Sequence, residues 1–135
     1  HIFFKERWYG FDDGLYTAAR LLEIVAKSKK DVSDVFAELP NSINTPELKL
    51  SIAEDKKFAF IQAFQAHVDF PDAKLTKIDG VRAEFSDGWG LVRASNTSPY
   101  LILRFEADNL PALKRIQTLF GNALLAMDPH LKLPF

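Results

Sequence analysis

The Asp79-Gly80 pair, placed between two short runs with the pattern of strands, constrains the fold of this chain more than any other feature. The runs cover residues 74–78 and 81–85, and in the second of them apolar residues alternate with charged ones. Asp-Gly is a strong signal for a tight hairpin turn, and alternation with a period of two is typical of a strand with one solvated face. Because tight turns join antiparallel neighbours, this segment predicts an antiparallel sheet.

Further strand signals lie on both sides of this hairpin. Alternating apolar residues predict a strand at 48–52, and two more strands are predicted at 90–94 and 100–107, after a second turn at Asp87-Gly88. With one helix near each end of the unit, the element order is strand, helix, three or four strands, helix. This order predicts an α+β fold in which both helices pack on one face of the sheet.

Both helices are predicted from apolar residues at helical spacing. Asp55 begins the first helix and Pro71 ends it. The predicted buried stripe of this helix consists of Phe58, Ile61, Phe64 and Val68. Asn109 or Asp108 begins the second helix, and Pro111 lies in its first turn, where proline is tolerated. The buried stripe of the second helix is predicted to consist of Leu113, Ile116, Phe120, Ala123 and Met127.

The first forty residues predict one strand and one helix rather than a complete sheet. Residues 1–11 indicate a short strand followed by an aromatic loop, and Asp12 or Asp13 can cap a helix over residues 13–28. Since this helix has an apolar face to cover, we expect the segment to be loosely packed on its own or to find a partner chain.

A polar, proline-containing stretch from Leu39 to Pro46 is the predicted domain boundary. It divides the chain into residues 1–40 and residues 41–135. The sequence opens at His1, without a methionine and inside an apolar run, and this predicts a cut through a larger protein.

The composition argues against several classes of protein. Seventeen Lys and Arg residues against 18 Asp and Glu residues leave a net charge of −1, whereas a nucleic-acid-binding protein needs many cations. No apolar run approaches the roughly 18 residues of a membrane span. Without cysteines there are no disulfides or thiolate metal sites, which is compatible with the cytoplasm. No histidine has a partner at ligand spacing, so we expect no metal site.

The residues best suited to chemistry form a polar loop between the last two predicted strands. The candidate anion-binding residues of this loop are Arg93, Ser95, Asn96, Thr97 and Ser98. A guanidinium group binds two phosphate oxygens at once, and hydroxyls, an amide and backbone N–H groups add further donors. The same residue types are ordinary turn formers, so on residue types alone a simple turn remains the alternative.

The segment GWGLVRASNTSPYLILRFEA, residues 88–107, resembles the signature of the C-terminal domain of the α-D-phosphohexomutases, above all the bacterial phosphomannomutase/phosphoglucomutase group. The segments HIFFKERWYGFDDGLYTAARLLE, TPEL and DGVR, together with the terminal LPF, extend the resemblance over essentially the whole chain. Members of this family have four domains. The resemblance implies that residues 1–40 are the C-terminal remnant of the third, sugar-binding domain and a linker. Residues 41–135 then form the fourth, phosphate-binding domain, a four-stranded antiparallel sheet with two helices.

The resemblance also implies roles for individual residues. Arg93, Ser95, Asn96 and Thr97 match phosphate contacts of the family. Ser98 stands where many relatives have threonine and keeps the hydroxyl. His1 matches a histidine close to the sugar hydroxyls, but we expect a terminal histidine to be a mobile, solvated group.

For the parent protein the resemblance implies interconversion of hexose 1-phosphate and hexose 6-phosphate, of mannose or glucose, through a hexose 1,6-bisphosphate. The phosphoserine and the Mg²⁺ ligands of such an enzyme lie outside this chain, so we expect the chain alone to be inactive. The expected partners are a phosphorylated hexose and the remaining domains of the same protein, with no nucleic acid and no membrane. The alternative is a non-catalytic α+β module that binds a phosphorylated metabolite or another protein.

Overall fold

The computed structural model describes residues 1–39 and 42–135. The chain divides into two compact units, His1–Asn41 and Ser42–Phe135. The boundary predicted between residues 40 and 41 falls on residues outside the described ones. The two units differ in packing, because no described residue of the first unit is buried and the whole hydrophobic core lies in the second.

The first unit is built on helix α1, Gly14–Ser28, which is followed by the short helix α2, Val32–Ala37. Asp13 caps α1, as predicted, because its Oδ1 accepts a hydrogen bond from the Tyr16 N–H at 2.9 Å. The Trp8 ring stacks on the Tyr16 ring with 4.5 Å between centroids, and its Nε1 donates to Asp13 Oδ2 at 3.0 Å. The aromatic loop is therefore tied to the first turn of α1.

The strand predicted within residues 1–11 is reduced to a single bridge between Phe3 and Asp12. A longer strand needs a neighbouring strand to form hydrogen bonds with its backbone N–H and C=O groups. Residues 1–39 contain no strand that could serve as this neighbour. The apolar face of α1 is open, since Leu15 is 87% and Leu22 is 68% exposed. That this face takes a partner chain remains a prediction.

The second unit contains one antiparallel sheet of six strands. The strands are β1 (Ile43–Asn44), β2 (Leu48–Ser51), β3 (Lys74–Thr76), β4 (Val81–Phe85), β5 (Gly88–Ala94) and β6 (Tyr100–Ala107). Their order across the sheet is β1-β6-β5-β4-β3, and β2 pairs with β6 as well. The edge strands β1 and β3 have only two and three residues. The four longer strands, β2, β6, β5 and β4, therefore correspond to the predicted four-stranded sheet.

Two helices pack against this sheet and share one hydrophobic core with it, as predicted. They are α3 (Lys57–His67) and α4 (Leu110–Met127). Asn109 caps α4 by accepting a hydrogen bond from the Ala112 N–H at 2.9 Å, which confirms the predicted start. The strands contribute Val81, Ala83, Val92, Leu101, Leu103 and Phe105 to the core, and the helices contribute Ile61, Phe64, Leu113, Ile116, Phe120 and Leu124.

The buried face of α3 differs from the predicted stripe. Ile61 and Phe64 are buried as predicted, but Phe58 is 51% exposed. Lys57 is 0% exposed and occupies the first buried position of the helix. Lys57, Ile61 and Phe64 stand at positions i, i+4 and i+7, which share one helical face, so the rotation of α3 places a lysine in the core.

The connection between β3 and β4 is longer than the two-residue turn predicted from Asp-Gly. The connection consists of residues 77–80, and hydrogen bonds from Gln65 of α3 account for its greater length. The Gln65 amide Nε2 donates to the Lys77 carbonyl at 3.1 Å and to the Gly80 carbonyl at 2.8 Å. These hydrogen bonds hold the connection against the helix. A two-residue connection occurs instead at residues 86–87, between β4 and β5.

Thr45 joins the sheet between β1 and β2 through both its backbone and its side chain. Its N–H donates to the Phe105 carbonyl at 2.9 Å, and its Oγ1 accepts from the Phe105 N–H at 3.1 Å. The hydroxyl oxygen thus takes the place of a strand carbonyl. Thr45 is 9% exposed, so water does not readily replace this acceptor.

Replacing Thr45 with valine should destabilise the second unit by about 1–3 kcal/mol, because the buried Phe105 N–H loses its acceptor. Valine keeps the shape of the side chain, so no cavity is created. Urea unfolding measures the change. The control is Thr118→Val on the exposed side of α4, expected within about 0.5 kcal/mol of the parent chain. Equal unfolding midpoints for the two variants would contradict the role of the Thr45 hydroxyl.

Candidate functional site

The candidate site is the loop of residues 95–99, which joins β5 to β6. Two backbone hydrogen bonds close this loop. The Ser95 N–H donates to the Tyr100 carbonyl at 3.0 Å, and the Tyr100 N–H donates to the Ser98 carbonyl at 2.8 Å. Both ends of the loop are therefore held by the two strands with the most extensive pairing in the sheet.

Arg93 is the second-last residue of β5, at the base of the loop. Its side chain is 35% exposed, and its Nη1 lies 3.5 Å from the Ala94 carbonyl oxygen and 4.0 Å from Asp79 Oδ2. Neither Nε nor Nη2 has an acceptor within the part of the chain that the structure describes. These two guanidinium nitrogens remain available as a fork for an anion.

The polar side chains of the loop differ in exposure. Ser95 is 8% exposed, and its Oγ accepts a hydrogen bond from the Thr97 N–H at 3.4 Å. Asn96 and Thr97 are exposed, and Ser98 is half-buried. Among the described residues, no acceptor faces the backbone N–H groups of Asn96 and Ser98. Ser95 therefore shapes the turn, while the side chains of Asn96 and Thr97 offer exposed donors.

His1, the remaining predicted site residue, belongs to the first unit. Its Nδ1 pairs with the carboxylate of Asp12, whose other oxygen accepts from the Ile2 N–H at 3.1 Å. The imidazole is exposed. The structure thus places the predicted residues Arg93 to Ser98 at one end of the sheet and His1 in a separate unit.

Two residues that the sequence did not connect with the candidate site contact the loop or its base. Lys57 Nζ donates to the Ser98 carbonyl at 3.0 Å. Gly80 lies so close to β5 that a Cβ atom on it would be 2.7 Å from Arg93 Cα. Lys57 stands four positions before Ile61, and this helical spacing could have indicated that Lys57 lies on the buried face of the helix. Nothing in the sequence around Gly80 or Arg93 indicates that the two residues are in contact.

The donors offered by this loop are a guanidinium fork, an amide, hydroxyls and backbone N–H groups. Such a set suits the oxygens of a phosphoryl group. Within residues 1–39 and 42–135 there is no group of three His, Asp or Glu residues that could hold a metal ion. In the same residues no helix has the length and apolar character needed to cross a membrane.

Comparison with protein families decides the relationship of this chain. A family model described as the C-terminal domain of phosphoglucomutase/phosphomannomutase matches residues 47–121. The chain belongs to the phosphoglucomutase/phosphomannomutase family. The model for the alpha/beta/alpha domain III of this family matches residues 1–43. Membership of the family, expected from the motifs, is confirmed.

Curated relatives have the names that this membership suggests. A phosphomannomutase/phosphoglucomutase from Pseudomonas putida is 54% identical over 135 residues, which is 100% of this chain and 29% of the relative. A phosphoglucomutase from Neisseria gonorrhoeae is 52% identical over 136 residues, covering 99% of this chain and 29% of the relative. The chain of this phosphoglucomutase/phosphomannomutase family member thus spans less than a third of these relatives.

A crystal structure shows the same fold in the family. It is that of a phosphoglucomutase/phosphomannomutase family protein from Burkholderia thailandensis, and the match has a TM-score of 0.88 at 50% identity. The match covers 100% of this chain and 28% of that chain. The predicted α+β fold with an antiparallel sheet and helices is confirmed.

Proposed function

We propose that this chain holds the substrate phosphate for a phosphohexomutase that interconverts hexose 1-phosphate and hexose 6-phosphate through a hexose 1,6-bisphosphate. The observation that carries the proposal is the position of Arg93, whose Nε and Nη2 have no acceptor among the described residues, at the base of a loop that exposes Asn96 and Thr97. The relatives named phosphomannomutase/phosphoglucomutase and phosphoglucomutase support the class of substrate. Because the chain covers less than a third of them, the activity of the whole protein is part of the proposal.

The loop is suited to a phosphate at either end of a sugar. In the proposed reaction the bisphosphorylated hexose turns over between two transfers, so the loop receives first one phosphate and then the other. A guanidinium fork with hydroxyl and backbone donors recognises the oxygens of a phosphoryl group and not the outline of a sugar ring. Binding energy from the phosphate that does not react then holds the reacting end in line.

Within the loop, the residues have different proposed roles. Arg93 supplies the charge, and Asn96, Thr97 and Ser98 supply neutral donors around it. Ser95, whose Oγ accepts from the Thr97 N–H, holds the turn and can still donate its hydroxyl proton to an oxygen of the ligand. His1 is assigned only a contact with the sugar hydroxyls.

The transfer step itself is assigned to residues outside this chain. We place the phosphoserine and the Mg²⁺ ligands in other domains of the protein, and residues 1–39 and 42–135 offer no ligand cluster of their own. Mg²⁺ held by those ligands in the other domains would neutralise charge on the phosphoryl group that is transferred. It follows that this chain alone binds substrate without turning it over. Phosphorylated hexoses are metabolites of the cytoplasm, and the proposal places the protein there.

Titration of the 135-residue chain with glucose 1-phosphate, glucose 6-phosphate or mannose 1-phosphate should shift the amide NMR signals of residues 93–98. We expect weak binding, in the millimolar range, because one loop provides only part of a complete site. The same samples should show no mutase activity. Glucose without phosphate should leave the loop signals unchanged.

Different outcomes separate the proposal from its alternatives. Equal shifts with glucose and glucose 1-phosphate would contradict phosphate recognition by the loop. Turnover by the pure 135-residue chain would contradict the placement of the reacting groups outside it. If the chain binds sugar phosphates but an enzyme that combines it with the remaining parts of the family's four domains is inactive, the non-catalytic module is the better assignment.

A further inference from the structure

The side chain of Lys57 is 0% exposed, although it begins helix α3 only two residues after the exposed Asp55. Lysine is among the residues least often buried, because an ammonium group loses its hydration when it leaves water. The proposed reaction does not use this group. Its burial therefore needs an explanation within the second unit.

The Lys57 ammonium group connects α3 to the candidate loop. Its Nζ donates to the Ser98 carbonyl at 3.0 Å, across 41 positions of the chain, and pairs with Glu54 Oε1 at 2.6 Å. It also lies 5.0 Å from the centroid of the Phe58 ring. The Glu54 side chain is 62% exposed, so the ion pair runs from the interior to the surface.

A second anchor reaches the loop from the same side. The Ile52 N–H donates to the Pro99 carbonyl at 3.2 Å. Two consecutive loop carbonyls, those of Ser98 and Pro99, are thus bound by the segment that leads from β2 into α3. With these carbonyls held there, the side chains of Asn96 and Thr97 are exposed to solvent, where an anion can reach them.

Stability alone does not account for a lysine at this position. An apolar residue of similar volume would avoid the cost of removing an ammonium group from water, and Glu54, which is 62% exposed, stays hydrated without its partner. The Ser98 carbonyl also accepts from the Tyr100 N–H at 2.8 Å, so it keeps a partner if the lysine is removed. What an apolar residue cannot provide is a directed bond that fixes the loop carbonyl.

We propose that Lys57 is a positioning residue for the phosphate loop, holding the Ser98 carbonyl so that the side-chain donors of Asn96 and Thr97 are exposed before an anion binds. The inference rests on the proposed function and extends it to a residue that contacts no substrate. A loop ordered in advance loses less conformational freedom on binding, and this raises the affinity for the phosphate.

Lys57→Met tests the inference, because methionine is unbranched, of similar length and apolar. Lys56→Met is the matched control, since it removes the same charge from the neighbouring, exposed lysine. We expect Lys57→Met to keep or raise the midpoint of thermal unfolding, to speed amide hydrogen exchange at residues 96–98, and to lower the affinity for glucose 1-phosphate about tenfold. Lys56→Met should leave the exchange rates unchanged and the affinity within about twofold.

Two further variants distinguish positioning from a general effect on the fold. Lys57→Arg keeps a cationic donor and should recover most of the affinity. In an Arg93→Ala background, Lys57→Met should cost less affinity than in the parent chain, because both act through one loop. If Lys57→Met does not fold, Lys57→Gln, which keeps a neutral donor of shorter reach, takes its place in every comparison.

Each possible result of these measurements supports one explanation and contradicts the others. A lower unfolding midpoint with unchanged affinity in the folded chain would show that Lys57 only supports the fold. Equal losses of affinity in Lys57→Met and Lys56→Met would show that charge, not position, matters. If the parent chain binds no sugar phosphate, the proposed function fails and the inference with it. If the parent chain binds and Lys57→Met binds equally well, only the inference fails.

Discussion

Replacing Gly80 with alanine should lower the midpoint of thermal unfolding of the second unit by about 15 °C. Gly80 has φ +89°, which costs an L-residue about 1–2 kcal/mol. A Cβ atom there would also overlap the Val92 carbonyl and lie 2.7 Å from Arg93 Cα. Both obstacles are backbone atoms of β5, and overpacking of this kind costs about 1–3 kcal/mol. In a unit of this size, 1 kcal/mol lowers the midpoint by about 4–8 °C.

The same substitution should impair the candidate site even in the folded chain. The added methyl group pushes on the backbone of Arg93, and relief requires either β5 or the connection at residues 77–80 to move. The Gln65 hydrogen bonds hold that connection to α3. We therefore expect amide signals of residues 92–95 to shift and the affinity for sugar phosphates to fall.

Gly14→Ala is the control for this prediction. A Cβ built on Gly14 meets no atom within 4 Å beyond its chain neighbours and the nearby backbone of its own helix, and the φ of Gly14 is not in the left-handed region. The substitution should change the stability of the chain by less than about 1 kcal/mol, and alanine favours the helix. If Gly80→Ala and Gly14→Ala had the same midpoint of thermal unfolding, the prediction would be wrong. The result would show that β5 moves to accommodate the added methyl group at little cost in stability.

The parts of the fold that could be predicted from the sequence depend on contacts close in the chain. The caps of α1 and α4 were predicted because Asp13 and Asn109 bond to N–H groups three residues on. Strand β4 was predicted because its residues alternate between a core face and a more solvated face, and this pattern depends only on residues close in the chain. In β6, Leu101, Leu103 and Phe105 share the core face as predicted, but Ile102 on the other face is buried as well.

Other parts required contacts that the local pattern does not contain. Phe58 is more apolar than Lys57, so the predicted stripe of α3 took the phenylalanine as buried. The actual rotation buries the lysine because Ser98, 41 positions away, offers it a carbonyl. The long connection before β4 likewise depends on Gln65, which lies on another element.

The candidate site also combines features that the local sequence contains with features that depend on distant contacts. Its chemical groups are consecutive, so Arg93 and residues 95–98 are proposed from residue types and from the resemblance of their segment to a family signature. The elements that hold them were not identified. Lys57 and Gly80 contact the site only because the sheet and α3 bring distant segments together.

Arg93→Ala should weaken the binding of glucose 1-phosphate to this chain by about 10- to 100-fold, because a charge-assisted, two-pronged contact is worth about 1.5–3 kcal/mol. In an enzyme that combines the chain with the other domains of the family, kcat/KM should fall by a similar factor, since the remote phosphate helps to hold the reacting end. The fold should be unaffected, because the Arg93 side chain is partly exposed and its contact with Asp79 is long.

Arg104→Ala is the matched control, because it removes the same charge from the same sheet. Arg104 is exposed on β6, where it lies opposite Leu91 and therefore further from the loop than Arg93. Its loss should change the affinity less than about twofold, since surface charges at a distance are screened by salt. Arg93→Lys should bind between the parent chain and Arg93→Ala, because an ammonium group keeps the charge and loses the fork. Equal affinities of Arg93→Ala and Arg104→Ala would mean that the phosphate is held elsewhere, and the loop would then be an ordinary turn.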